Sequence, residues 1–242
     1  MKKNNLILRL IAPLLMAFSL TAVAQTVTIG NQVWMTKNLN VDKFRNGDPI
    51  PQAKTAAEWK AAGEKKQPAW CYYDNDPANG AKYGKLYNWF AVNDSRGLAP
   101  AGYHIPSDAE WTQLTDFLGS DAGTKMKSTS GWGVMENVPC PNCKDWNDEY
   151  RTCHVCKDTR SSGQKLVSKG NGTNSSGFSG LPAGFRYDFG SFYFIGRLGY
   201  WWSSTEPDTA LAWFRLLNYG NGDAYRGIDL KELGFSVRCL RD

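Results

Sequence analysis

From Gly180 onward the chain breaks into short strand-like stretches, 185–189, 192–195, 212–217 and 235–239, of which the first and last alternate apolar with polar residues, punctuated by glycines and Asn-Gly pairs. Alternation sends successive side chains to opposite faces of a strand, and frequent turns fold such strands back onto their neighbours. An antiparallel sheet is therefore expected in this half. Within it, the adjacent Trp201 and Trp202 must face opposite ways, so one is expected in the core and the other is free to reach solvent. With 24 glycines and 10 tryptophans, large rings supply much of the buried area and glycines set the turns, which describes a loop-rich fold.

The first half reads differently. Residues 27–29 and 32–35 flank Gly30-Asn31 as a short hairpin. Thr55 with Glu58, and Ser107 with Glu110, have the spacing of capping boxes, so a helix is expected after each. After Ser107, Trp111, Leu114 and Leu118 define one buried helix face that ends at Gly119. Leu86, Tyr87, Phe90 and Ala91 also have helical spacing. Short helices followed by an antiparallel sheet make the class α+β. With neither a Pro/Ser linker nor a clear repeat, one domain over 25–242 is expected.

Lys2 and Lys3 precede an apolar run that ends in Ala22-Val23-Ala24, the pattern of a signal peptide at 1–24 cleaved after Ala24. Removing Lys2, Lys3 and Arg9 with it leaves 25 basic residues against 23 acidic ones, a net charge of +2. So small a balance gives no electrostatic case for nucleic acid. No later apolar run approaches the roughly 18 residues that a membrane span needs. The mature chain is expected in the periplasm, at the cell surface or in the medium.

Cys140, Cys143, Cys153 and Cys156 form two C-x2-C pairs inside an expected insertion at about 136–160. Two such knuckles can hold four thiolates tetrahedrally on one structural Zn²⁺, with no open position for catalysis. In an exported chain the same residues can instead form two disulfides. Histidine beside Cys153 keeps a redox role open. Structural zinc is the expectation carried forward. Cys71 and Cys239 are expected to pair as a disulfide on compartment grounds, with two buried free thiols as the other possibility.

Catalytic patterns are sparse. Of two histidines one lies in the cysteine cluster, leaving His104, immediately before a helix cap, where a structural role is expected. Glu110 is committed to its capping box. Paired carboxylates would have to come from scattered residues such as Glu136, Asp145, Asp148, Asp188 and Asp223. The glycines at 97–102 and 170–177 lack the lysine and the strand-to-helix context of a phosphate loop and read as turns. Glu206-Pro207-Asp208 invites comparison with a calcium- and sugar-binding Glu-Pro-Asn motif, although a surface turn suits it better.

Six ordered blocks carry a resemblance: 30–40, 84–92, 100–111, 177–186, 201–205 and 234–241. Together they resemble the Fibrobacter succinogenes major paralogous domain family, from about Val27 to the end. The resemblance implies an exported protein with a fold similar to C-type lectin-like domains and to formylglycine-generating enzymes. Those enzymes use a cysteine pair near their carboxy terminus, whereas this chain has only Cys239 there. Where the family often has a cysteine, this chain has Ala99.

The resulting expectation is a non-enzymatic binding or adhesion module that recognises a glycan or a surface protein. Its ligand would meet Glu206, Asp208, Tyr219, Asp223, Tyr225 and Arg226, because 219–226 mixes aromatic, charged and small residues. The alternatives are an oxidase or other enzyme of the formylglycine-generating kind and a structural subunit of a cell-surface assembly.

Overall fold

A computed structural model describes residues 25–137, 164–168 and 170–242. The expected leader at 1–24 and Cys140, Cys143, Cys153 and Cys156 lie outside the described residues.

The opening hairpin forms as expected. Strand β1 (Thr26–Ile29) pairs with β2 (Gln32–Met35) across Gly30, whose φ of 61° suits a residue without a side chain. Thr55 caps α1 (Ala56–Glu64), and both halves of its capping box are made. The chain continues through β3 (Trp70–Cys71), α2 (Pro77–Tyr83) and β4 (Leu86–Tyr87), with β3 and β4 paired. The helix expected across 86–91 is thus half wrong: Leu86 and Tyr87 are strand, and only α3 (Trp89–Val92) is helical. Asn88 separates them because its extended backbone and its Oδ1, which accepts from Ala91 N and Ala69 N, start a new element there.

After β5 (Tyr103–His104), Ser107 caps α4 (Asp108–Leu118), which buries Trp111, Leu114 and Leu118 and ends at Gly119 with φ 75°. Helix α5 (Ala122–Met126) follows, and the ribbon of β6 (Gly133–Asn137) and β7 (Gln164–Ser168) flanks the segment that carries the four cysteines. The last third holds β8 (Phe185–Arg186), β9 (Phe192–Tyr193), β10 (Leu198–Trp202), β11 (Leu211–Asn218), β12 (Ala224–Leu230) and β13 (Leu240–Arg241). Two antiparallel sheets organise the molecule, one in the order β1-β2-β13-β5 and one in the order β10-β11-β12. The class is mixed helix and strand with short helices, as expected.

Three strand expectations need correction. Residues 185–189 and 192–195 keep only two-residue strands, β9 ending where Phe194 turns to φ 65°. Residues 235–239 do not form a strand. Phe235 bridges Tyr87 and Ser236 bridges Trp201, so the segment is divided between neighbours. Conversely, β12 takes in Ala224, Tyr225 and Arg226 at the end of the 219–226 stretch expected to meet a ligand, because these residues pair along β11.

Three buried clusters fill the interior. Strand β10 lies between two of them, with Trp202 packing on Phe235 at 4.2 Å and Trp201 on Phe178 at 5.8 Å. The indoles face opposite ways, yet both are fully buried, since the sheet has core on both sides here. Asn38 ties the layers together: its Oδ1 accepts from Trp201 Nε1 at 2.9 Å and from Arg238 Nη2 at 2.6 Å, while its Nδ2 donates to Tyr83 O and Ser236 Oγ. Burial pulls the Arg238 pKa down to about 9. Cys71 and Cys239 sit in different clusters as free thiols, so the expected disulfide is not formed. Burial pushes both thiols up to about 12, which makes them packing groups, not nucleophiles, near neutral pH.

Candidate functional site

The six residues expected to meet a ligand do not converge. Glu206 and Asp208 close around a lysine: Lys231 Nζ donates to Glu206 Oε2 and, at 2.8 Å, to Asp208 O, and it lies over the Trp89 ring at 4.7 Å. The Asp208 side chain accepts from Ala210 N and Leu211 N, which makes the segment a turn. A second buried lysine serves the β11–β12 turn, where Lys127 Nζ donates to Asn218 O at 2.9 Å and to Asn221 O at 2.7 Å. Asp223 lies exposed in that turn, and the Tyr219 ring is under Arg197 at 5.3 Å.

Tyr225 and Arg226 are neighbours on a strand and therefore point to opposite faces. Arg226 stacks on Trp213 at 3.5 Å and donates to both oxygens of Asp108, which also receives Arg215 Nη1 at 2.7 Å. Burial alone would raise the Asp108 carboxyl, but bonds from Arg226 and Arg215 outweigh it and hold the pKa low. On this face α4 covers Arg215, while Arg226 and Ile228 stay exposed. Tyr225 is on the other face and is 58% exposed. Its ring leans over Gly227, where an added Cβ would come within 2.7 Å of Phe214 and 2.8 Å of Tyr225. Only a glycine leaves the ring that position.

The Tyr225 face of β10–β11–β12 is core at Trp202, Ala212 and Phe214 and partly exposed at Tyr200 and Leu216, and it continues from Tyr225 across a network of aromatic rings. Phe214 joins Tyr225 to Tyr200, Tyr200 contacts Phe185 at 5.1 Å, and Phe185 contacts Tyr193 and Phe194. Tyr187 extends it to Phe189 at 4.5 Å. Phe189, Tyr193, Phe194 and Tyr225 reach solvent. Phe194 does so at φ 65°, a left-handed backbone that costs a bulky residue about 1–3 kcal/mol. Gly184 lets that turn approach, since a Cβ there would lie 2.4 Å from Tyr193 O.

At one margin of this face sits Asp229, which shares the side of β12 occupied by Tyr225 and Gly227. Its carboxylate is half-buried and accepts from Leu230 N. Burial first, and then the charge of Asp188, raises its pKa above the ordinary carboxylate value. Burial together with Asp229 raises the Tyr200 hydroxyl to about 12. Sequence reading overlooked Asp229, Phe189, Tyr193 and Phe194. The signal was the i, i+2, i+4 spacing of Tyr225, Gly227 and Asp229, which marks one strand face.

His104 lies elsewhere, clasped between two carboxylates. One ring nitrogen is 2.8 Å from Asp242 Oδ1 and the other 2.9 Å from Glu110 Oε1, while Ser107 donates through both N and Oγ to Glu110 Oε2. Burial disfavours the charged ring, but the bonds to Asp242 and Glu110 outweigh it and raise the pKa. With every partner engaged by another, this constellation braces β5 against α4.

Among the described residues no group of three or more His, Cys, Asp and Glu is placed to hold a metal. No described helix is long and apolar enough to cross a membrane. Neither a curated protein nor a solved structure matches the chain. The family comparison does match, with the Fibrobacter succinogenes major domain covering residues 27–241, and the chain belongs to that family.

Proposed function

We propose that this chain is an exported, non-enzymatic binding module with a C-type lectin-like fold, and that it holds a glycan on the exposed rings of Tyr225, Tyr193, Phe194 and Phe189. The fold reading is supported by β13 closing onto β2 and β5, which brings the two ends of the domain into one sheet. The binding reading rests on one observation: exposed rings joined through a buried aromatic floor, with a half-buried carboxylate at the margin. Exposed rings stack on the apolar faces of sugar rings, and a carboxylate accepts hydroxyl protons that fix their orientation. A strained Phe194 agrees with selection for display over stability.

The non-enzymatic reading is supported by the engagement of His104 and Ser107 with their own neighbours and by burial of both described thiols. Retention of structural zinc by Cys140, Cys143, Cys153 and Cys156 belongs to the same proposal, and metal analysis of the purified chain should return one zinc per molecule.

A glycan array followed by titration calorimetry tests the binding face. Tyr225→Ala and Phe194→Ala should each weaken the strongest hit by about tenfold or more, about 1.4 kcal/mol, while Arg226→Ala leaves it unchanged. A blank array, or affinity lost only with Arg226, sinks the reading. Sedimentation should find a monomer; a dimer abolished by Tyr225→Ala would assign the face to self-association instead.

A further inference from the structure

We propose a second binding site, separate from the glycan-holding rings: a recess that takes the phosphate group of a small phosphate ester. It opens between the chain leaving β2, the last turn of α2 and the loop around Ser179, and its volume is about 320 Å³. That lies at the lower end of the roughly 300–1,000 Å³ of small-molecule sites, which suits one substituted ring better than an extended chain. None of Phe189, Tyr193, Phe194 and Tyr225 lines it.

The recess is a built feature of the fold. Gly84, with φ 80°, ends α2 so close to the corner after β2 that an added Cβ would lie 2.8 Å from Leu39 O. In another wall Ser179 holds φ 56°, at a cost of about 1–3 kcal/mol. Asn174 pins it there, its Oδ1 accepting from Ser179 N at 2.7 Å and its Nδ2 donating to Ser179 Oγ at 2.9 Å.

Most polar groups around the recess are engaged with their own neighbours. At the end of α2, Tyr83 O accepts from Asn38 Nδ2 at 2.9 Å, and Gly80 O accepts from Gly84 N and Asn40 Nδ2. The hydroxyls are committed too, Thr36 donating to Gln25 O, Ser128 to Ser130 O and Ser179 to Gly177 O. The ammonium groups are the exception. Lys37 and Lys82 both line the recess, and neither forms an ion pair or donates a hydrogen bond among the described residues. Lys82 Nζ lies over the Tyr83 ring at 4.7 Å. No carboxylate lines the recess.

Two such charges in one recess attract an anion, and the charge count selects its kind. A phosphate monoester carries about −1.5 to −2 at neutral pH, which balances both lysines, while a carboxylate or a sulfate ester balances only one. The head groups agree with this choice. An ammonium is a point charge with three rotatable donors, so it meets a tetrahedral oxyanion from any side, whereas a planar carboxylate is matched best by the fork of an arginine.

Calorimetric titration of the purified chain at low salt compares glucose 6-phosphate, as the model ester, with glucose 6-sulfate, glucuronate, inorganic phosphate and glucose. Glucose 6-phosphate should bind at least about tenfold tighter than each of the others, and its affinity should fall as salt is raised. Lys37→Gln and Lys82→Gln should each weaken it by about tenfold with Tm unchanged, because both residues are exposed. Lys60→Gln, at an exposed lysine outside the recess, should leave it unchanged. Equal affinity for phosphate, sulfate and uronate would reduce the site to non-specific attraction and overturn the proposal. So would inorganic phosphate binding as tightly as the ester, affinity that survives the double lysine variant, or no binding of the ester at millimolar concentration. All of these outcomes leave the glycan reading standing, since its array and its Tyr225 variant report on a different surface.

Discussion

The two faces of the β10–β11–β12 sheet are made from alternate residues of the same strands, and they meet opposite fates. On one, Arg215 and Arg226 direct their guanidinium groups at Asp108 on α4, Trp213 lies beneath Arg226, and Arg215 is buried while Arg226 stays half-exposed. On the other, Trp202, Ala212 and Phe214 are core, Tyr200 and Leu216 pack partly against it, and Tyr225 reaches solvent beside Gly227. The first face spends its polar atoms on the fold. The second leaves rings and a carboxylate available. A one-residue step along β12, from Tyr225 to Arg226, separates an exposed ring from the Asp108 clamp, which explains why composition alone joined them.

The largest test of this contrast is Asp108→Ala. It leaves Arg215, whose side chain is 1% exposed, without its counter-charge, and should cost about 3–5 kcal/mol in urea unfolding while sparing Tyr225. A loss below about 1 kcal/mol would mean that the clamp is a surface pair and the contrast between faces is weaker than drawn. Next comes Gly227→Ala, which forces a methyl group against Phe214 and Tyr225 and should cost about 1–3 kcal/mol. It should also weaken the glycan hit if the displaced ring is the platform proposed above; unchanged stability and binding would show that Tyr225 does not rest on this glycine.

The smallest effect concerns the capping box of α4, two residues along from Asp108. The pKa of His104 is raised above 6.5 and that of Glu110 lowered below 4.5. The histidine's contribution is complete below its unfolded pKa and disappears as pH rises through the folded one. The glutamate's contribution is complete above its unfolded pKa and disappears as pH falls through its folded one. The brace is thus strongest between about pH 4.5 and 6.5. Thermal unfolding should show a decline in Tm above that window, and His104→Gln should flatten it; an unchanged pH profile would mean that the ring is neutral in the clasp.

Local chemistry was the legible part of this chain. Both capping boxes, the hairpin at Gly30 and the buried stripe of α4 are fixed by residues within a few positions of one another, and each forms as read. What depended on distant partners was not legible. Strand β12 contains a glycine and charged residues and becomes a strand only because β11 pairs along it. Alternation announced that Trp201 and Trp202 face opposite ways, but it carries no information about how many layers flank a strand, so the burial of both was missed. For the candidate site, Tyr225 was named from composition, while Phe194 and Asp229 became visible only once β9, β10 and β12 were adjacent.

Lys231 gives the turn at 206–208 an unusual kind of permanence. A loop organised by a dissociable cation responds to the concentration of that cation in its surroundings, and a chelator can open it. Here the positive charge between Glu206 and Asp208 is covalently attached to the chain and therefore has no off-rate. A chain built this way holds that loop in one shape with no cation to lose.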